Sequence, residues 1–159
     1  MSVPTSEPIK KLIVGDIAPL FIAPLQSGEN LDLQYILDSG KKVLLVFYPG
    51  DDTPGCTSQL CGIRDVYSEY KNLNVRVLGV NHADAGSHQK FIDKYNYPFD
   101  IIVDVNKKII NDYGAVKTFF KNLTVKRGVF LIDTDGKIIY QVWGQQNNQE
   151  IINFLKNNQ

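Results

Sequence analysis

The sequence predicts an α/β fold, with one mixed β-sheet and helices packed on both of its faces. Two patterns point to it. Short continuous runs of β-branched and aromatic residues, Lys42 to Tyr48 and Val75 to Val80, read as strands buried on both faces. Between such runs lie segments whose apolar residues recur every three or four positions, the mark of amphipathic helices. The length of 159 residues fits one domain, 1–159, and folding at that size removes roughly 68–70% of the unfolded surface from water, enough for a self-sufficient core.

In chain order, Leu12 to Leu33 alternates apolar residues with Gly and Pro around Gln26-Ser27-Gly28-Glu29-Asn30, which predicts an N-terminal β-hairpin. The strand Lys42 to Tyr48 follows, then a Pro/Gly-rich loop. Leu60, Ile63, Val66, Tyr67 and Tyr70 fall on one helical face. Val75 to Val80 is the second buried strand, Ser87 to Tyr95 a helix, Phe99 to Val103 a short strand, and Lys107 to Tyr113 another helix. Val125 to Ile132 and Ile138 to Trp143 read as two strands joined by the turn Asp133-Thr134-Asp135-Gly136, with a last helix from about Gln149 to Leu155.

Composition closes several doors. With 43% hydrophobic and 21% charged residues the chain has an ordinary globular make-up. Lys+Arg and Asp+Glu number 17 each, and no block of the chain is strongly basic, so a nucleic-acid partner is not expected. Gly15, Asp16, Pro19 and Pro24 interrupt any signal-peptide core, and the longest proline-free apolar run, Val43 to Tyr48, is far shorter than the ~20 residues of a membrane helix. No membrane partner and a cytoplasmic location are therefore the expectation. The 2 cysteines are too few for a disulfide-stapled scaffold, and in a reducing compartment they are catalytic or metal-binding before they are structural.

Sites in open α/β sheets gather at the carboxyl ends of buried strands, which points to the loop after Tyr48. There Thr53-Pro54 has the form of a helix N-cap followed by proline at the first helical position. Cys56 then falls in the first turn, where the helix dipole and unpaired N–H groups favour a thiolate at neutral pH. Thr53 has two compatible roles, capping the helix or hydrogen-bonding that sulfur. Cys61 lies five residues on. In an intact helix the two Cα atoms are roughly 8–9 Å apart, too far for a disulfide. If the two sulfurs pair at all, the first turns must unwind, and Gly55 and Gly62 lower that cost. Alone, Cys61 reads first as a small core hydrophobe.

Pro49-x-x-x-Thr53-x-x-Cys56 resembles the active-site motif of the peroxiredoxins, and Asp51-Asp52-Thr53-Pro54-Gly55-Cys56-Thr57 with Cys61 resembles their bacterioferritin comigratory protein, or peroxiredoxin Q, subfamily. Val14-Gly15-Asp16-x-Ala18-Pro19-x-Phe21, Ser87-His88-x-Lys90-Phe91 and Arg127-x-x-Phe130-Leu131-Ile132-Asp133 extend the likeness over nearly the whole chain. Gln59-Leu60 stands where the subfamily usually has Glu-Ala, Gly62-Ile63-Arg64-Asp65 replaces Gly-Phe-Arg-Asp, and Gly128 replaces a Ser, Thr or Val.

The resemblance implies a thioredoxin-like fold and a thiol-dependent peroxidase, acting on hydrogen peroxide and organic hydroperoxides. Cys56 would attack the peroxide and become a sulfenic acid. The N–H groups of Gly55 and Cys56, the Thr53 hydroxyl and the Arg127 guanidinium would hold the peroxide oxygens, with Pro49 shielding the sulfur. Cys61 would resolve the sulfenic acid to a Cys56–Cys61 disulfide, which a thioredoxin-type dithiol would reduce. No metal or other cofactor is implied, and the chain would be a monomer or weak homodimer.

Other readings compete. A disulfide reductase would carry C-x-x-C, which this chain lacks. A redox sensor could use the same two cysteines without rapid turnover. Cys56, Cys61, His82 and His88 could form a zinc set, but the histidine spacing is wrong for a finger. Solvated or capping roles suit those histidines better. Asp51 and Asp52 read as solvated loop carboxylates, Asp133 to Gly136 as a turn rather than a calcium loop, and Phe119-Phe120 as a hydrophobic wall near the site.

Overall fold

A computed structural model describes residues 11–119 and 122–159. A hairpin of β1 (Ile22–Pro24) and β2 (Asn30–Asp32) opens the described chain. The helix α1 (Leu33–Asp38) follows, then β3 (Lys42–Phe47), α2 (Pro54–Asp65), α3 (Tyr67–Asn72), β4 (Val75–Asn81), α4 (Ala85–Tyr95), β5 (Asp100–Val103) and α5 (Lys108–Asp112). A second hairpin, β6 (Val116–Phe119) and β7 (Asn122–Val125), precedes β8 (Gly128–Ile132), β9 (Ile138–Trp143) and α6 (Asn148–Asn157).

The central sheet runs β5-β4-β3-β8-β9. β3, β4 and β5 are parallel, and β8 and β9 are antiparallel additions at one side. Strand residues alternate between two cores. Val43, Leu45 and Phe47 of β3 join α1, α5 and the first hairpin on one face. Leu44, Val46 and Tyr48 pack on the other face against α2, α3, α4 and α6. All six are fully buried, which is why β3 reads as an unbroken apolar run. Each such side chain contributes on the order of 1.5–3 kcal/mol on leaving water. The mixed sheet, flanking helices and N-terminal hairpin make up the thioredoxin-like architecture. No described helix is long and apolar enough to cross a membrane.

Four local expectations need correction. α1 was not predicted, although Asp32 caps it, accepting from the N–H groups of Gln34 (3.0 Å) and Tyr35 (3.4 Å). The helix expected through Tyr70 is two helices, because Val66 leaves helical geometry at φ −118° and ψ 15°. The strand expected over Val125 to Ile132 is interrupted. Val125 ends β7, which pairs only with β6, and Lys126 N–H carries that pairing one residue further to Ala115 O (2.8 Å); β8, a strand of the central sheet, begins only at Gly128. The hairpin β6–β7 also falls where no element was predicted. Phe120, half of the expected hydrophobic wall, lies outside the described residues, as does the side chain of Phe119.

Gly128 pairs with Trp143 across the sheet. A Cβ there would lie 2.9 Å from the Val142 carbonyl and closer still to the indole, so a larger residue at this place requires Trp143 or its strand to shift.

Candidate active site

β3 delivers the chain to the loop at Pro49, and α2 carries it away. Thr53 takes the N-cap position with extended backbone (φ −90°, ψ 151°) and Pro54 opens the helix. The first intrahelical bond is Thr57 N–H to Thr53 O, 2.8 Å. The N–H groups of Gly55 and Cys56 precede it and lack helical acceptors. Thr53 does not cap them: its hydroxyl donates to Gly50 O at 3.2 Å. The expected capping bond is thus replaced by a bond inside the loop, and Thr53 itself stays exposed at the mouth of the site.

Cys56 is completely buried. Arg127, from the link between β7 and β8, donates through Nη2 to Cys56 Sγ at 3.3 Å. Its backbone is pinned where Gly144 N–H donates to Arg127 O at 2.8 Å. Gly55 permits the approach, since a Cβ at that position would lie 3.1 Å from Nη2. The other arm of the guanidinium donates to Gln59 Oε1. This fixes which end of the Gln59 amide faces Arg127, so its Nε2 faces and donates to Gln146 Oε1 at 3.1 Å. Gln146 Nε2 in turn donates to Gln59 O (3.3 Å) and Asn148 Oδ1 (3.4 Å). Gln59 and Gln146 are both buried; in sequence Gln59 shows only as a departure from the subfamily pattern and Gln146 not at all, because their bond spans 87 positions.

Cys61 has a different setting. It is half-buried, and its Sγ lies 3.5 Å from the hydroxyl of Tyr97. That tyrosine stacks between Tyr95 and Phe99 and meets the edge of Phe91. Burial, then the bond to Cys61, pushes the Tyr97 phenol far above its ordinary value, so it stays protonated. Both cysteines are free thiols on the intact helix α2.

The structure therefore brings Thr53, Gly55, Cys56 and Arg127 together, and Cys61 sits on the same helix, away from the Arg127 contact. Pro49, Val116, Val125 and Arg127 line an open cleft of about 860 Å³, with Lys117 and Lys126 also at its wall. Lys126 lies over the Trp143 ring, 4.2 Å from its centroid.

Two expectations around the site fail. Asp51 is not a solvated carboxylate: only 7% of its side chain is exposed, and it accepts from Tyr48 Oη (2.6 Å), Ser87 Oγ (2.6 Å) and His88 Nδ1 (2.7 Å). His88 is neither solvated nor a cap but fully buried. Although burial opposes it, these three bonds hold the Asp51 carboxyl below the usual carboxylate range. Asp52 is exposed and bonds Lys94 Nζ (2.8 Å) and Tyr95 Oη (2.7 Å). Among the described residues no three His, Cys, Asp or Glu side chains converge as a metal-binding set.

Residues 14–141 match the AhpC/TSA family. A Coxiella burnetii protein named as peroxiredoxin bcp is 43% identical over 134 residues, covering 82% of this chain and 87% of that one. The crystal structure of peroxidoxin BcpB from Mycobacterium tuberculosis superposes with a TM-score of 0.84 at 26% identity, covering 92% of this chain and 97% of that one. A Xanthomonas campestris bacterioferritin comigratory protein, described for its alkyl peroxide reduction, superposes at 0.78 with 21% identity, over 87% and 91% of the two chains. At that identity the likeness concerns the fold.

Proposed function

The chain belongs to the AhpC/TSA family, among its peroxiredoxins, and we propose that Cys56 is its peroxide-reducing thiol and Cys61 the thiol that resolves it. The protein is a thiol-dependent peroxidase. The observation that carries the assignment of Cys56 is the Arg127 Nη2–Sγ contact of 3.3 Å at a fully buried sulfur in the first turn of α2. A cation and unpaired N–H donors around one sulfur favour its anionic, reactive form.

The Cys56 thiolate attacks the nearer oxygen of ROOH. An S–O bond forms, the O–O bond breaks, and RO⁻ leaves to take a proton, so sulfur is oxidised and the peroxide reduced. Arg127 and the N–H groups of Gly55 and Cys56 stabilise the charge developing on the oxygens. The Thr53 hydroxyl, held by one 3.2 Å bond to Gly50 O, can turn to the incoming peroxide. Pro49 closes one side, and the mainly apolar cleft beyond it suits the carbon chain of an organic hydroperoxide.

Cys61 then attacks the sulfenic acid, forming the disulfide and releasing water. Two positions five apart on an intact helix stand roughly 8–9 Å apart, so α2 unwinds at this step and its bonds at Gln59 and Cys61 break. A thioredoxin-type dithiol then exchanges with the disulfide and restores both thiols. Peroxide consumption in the presence of a thioredoxin system tests this directly. Cys56→Ser abolishes it, whereas Cys61→Ser keeps a single turnover and loses most dithiol-driven cycling. Normal turnover by Cys56→Ser would overturn the assignment.

A further inference from the structure

The loop that leads into α2 is fastened at its far side by groups the peroxide chemistry does not use. Asp51 takes three short hydrogen bonds, two of them from consecutive residues of α4, Ser87 and His88. His88 is completely enclosed, with Nε2 3.3 Å from Asn81 O. The carboxylate opposite Nδ1 can only accept, so in this bond the ring nitrogen is the donor. Asn81, also fully buried, closes the circle by donating to Tyr48 O at 2.8 Å, at the residue where β3 gives way to the loop. The burial of Tyr48 and the nearby Asp51 push its phenol well above the ordinary value, so it remains a donor.

No hydrogen bond of the described residues joins this network to Cys56 or Arg127; the connection runs through the six residues from Asp51 to Cys56. The start of α2 lacks a side-chain cap of its own. Where the first turn begins is therefore decided by how the loop is docked. We propose that Asp51 and His88 are positioning residues of the peroxide site: their buried pair docks residues 49–53 on α4, and so sets where Cys56 Sγ lies against Arg127. The inference rests on the reading of Cys56 as the reacting thiol. It also gives the pair a part in each cycle, because the docked loop is a fixed end against which α2 can rewind after its disulfide is reduced.

The test is the second-order rate of Cys56 oxidation by hydrogen peroxide in the reduced full-length protein, followed by rapid acid quench and intact mass. In His88→Asn the amide nitrogen takes about the place of Nδ1 and still donates to Asp51. Its rate stays within about threefold of the parent. His88→Leu fills the apolar volume better but donates nothing, and its rate drops by about tenfold or more, in line with the sensitivity of catalysis to ångström-scale misplacement. A packing role alone gives the opposite order, so a leucine variant as fast as the asparagine variant overturns the proposal. Should His88→Leu not fold, Ser87→Ala removes one donor to Asp51. It slows oxidation severalfold in a protein whose unfolding curve shows it fully folded under the assay conditions, and an unchanged rate again overturns the proposal. Oxidation that persists in Cys56→Ser would instead strike at the underlying assignment of the thiol.

Discussion

Cys56 is sealed from solvent with a guanidinium 3.3 Å from its sulfur, whereas Cys61, five residues along the same helix, keeps part of its surface and meets a tyrosine hydroxyl at 3.5 Å. The groups around Cys56 come from remote places: Arg127 from before β8, and the Gln59–Gln146 pair that steadies it from α2 and the approach to α6. The groups around Cys61 are aromatic, and the nearby cation, Arg64, is held by Tyr95 O (2.8 Å) and Asp65 (3.1 Å) rather than bonded to the sulfur. A thiol that must react with peroxide needs charge and donors already in place. A thiol that must resolve needs chiefly to arrive, and its surroundings need chiefly to let go.

That contrast breaks first at Arg127. Arg127→Met removes the cation and both of its fork contacts, and the rate of Cys56 oxidation falls by about 10²–10³, the scale seen on losing one preorganised donor. Rapid-quench kinetics check it. A loss below tenfold would mean that the charge of Arg127 is not what distinguishes Cys56 from Cys61.

Gln146 sharpens the other half. Its bonds to Gln59 hold α2 in its folded form, and the proposed unwinding would break them. Gln146→Leu removes them at a cost of about 1–3 kcal/mol to stability for the unpaired buried amide, and the step from sulfenic acid to disulfide accelerates. A mutant that is less stable yet no faster in that step would show that unwinding does not pass through this pair. Chemical denaturation and the time course of disulfide formation supply the two readings.

Acid sensitivity is the smallest effect. The Asp51 carboxyl titrates lower in the folded chain than in the unfolded one, where about 3.9 is usual. Its contribution to stability is therefore complete above about pH 4 and is lost as pH falls through the lower folded value. The wild-type protein exceeds Asp51→Asn in urea midpoint at pH 7, and the gap closes below about pH 4. Parallel curves would contradict the sign of the shift.

Where sequence reading succeeded, the signal was local. β3 and β4 are buried on both faces, so they read as apolar runs, and the turns at Gly28 and Gly136, at φ +91° and +87°, announce themselves by composition. Thr53, Gly55, Cys56 and Cys61 share one helix and its cap, so their spacing carries their relation. Arg127 was legible only through its motif, because nothing near it in sequence says that it meets a sulfur 71 positions away. Asp51 and His88 look solvated in sequence because their burial depends on partners 36 and 37 positions apart. The hairpin β6–β7 and the helix α1 are each so short that tertiary packing, more than propensity, decides them.

Intact mass of the reduced protein before and after one equivalent of hydrogen peroxide tests the central claim most directly. The account predicts the loss of two hydrogens in the parent chain, from a Cys56–Cys61 disulfide, and the gain of one oxygen when Cys61 is serine. An unchanged mass in the parent would contradict the claim that Cys56 reacts and Cys61 resolves.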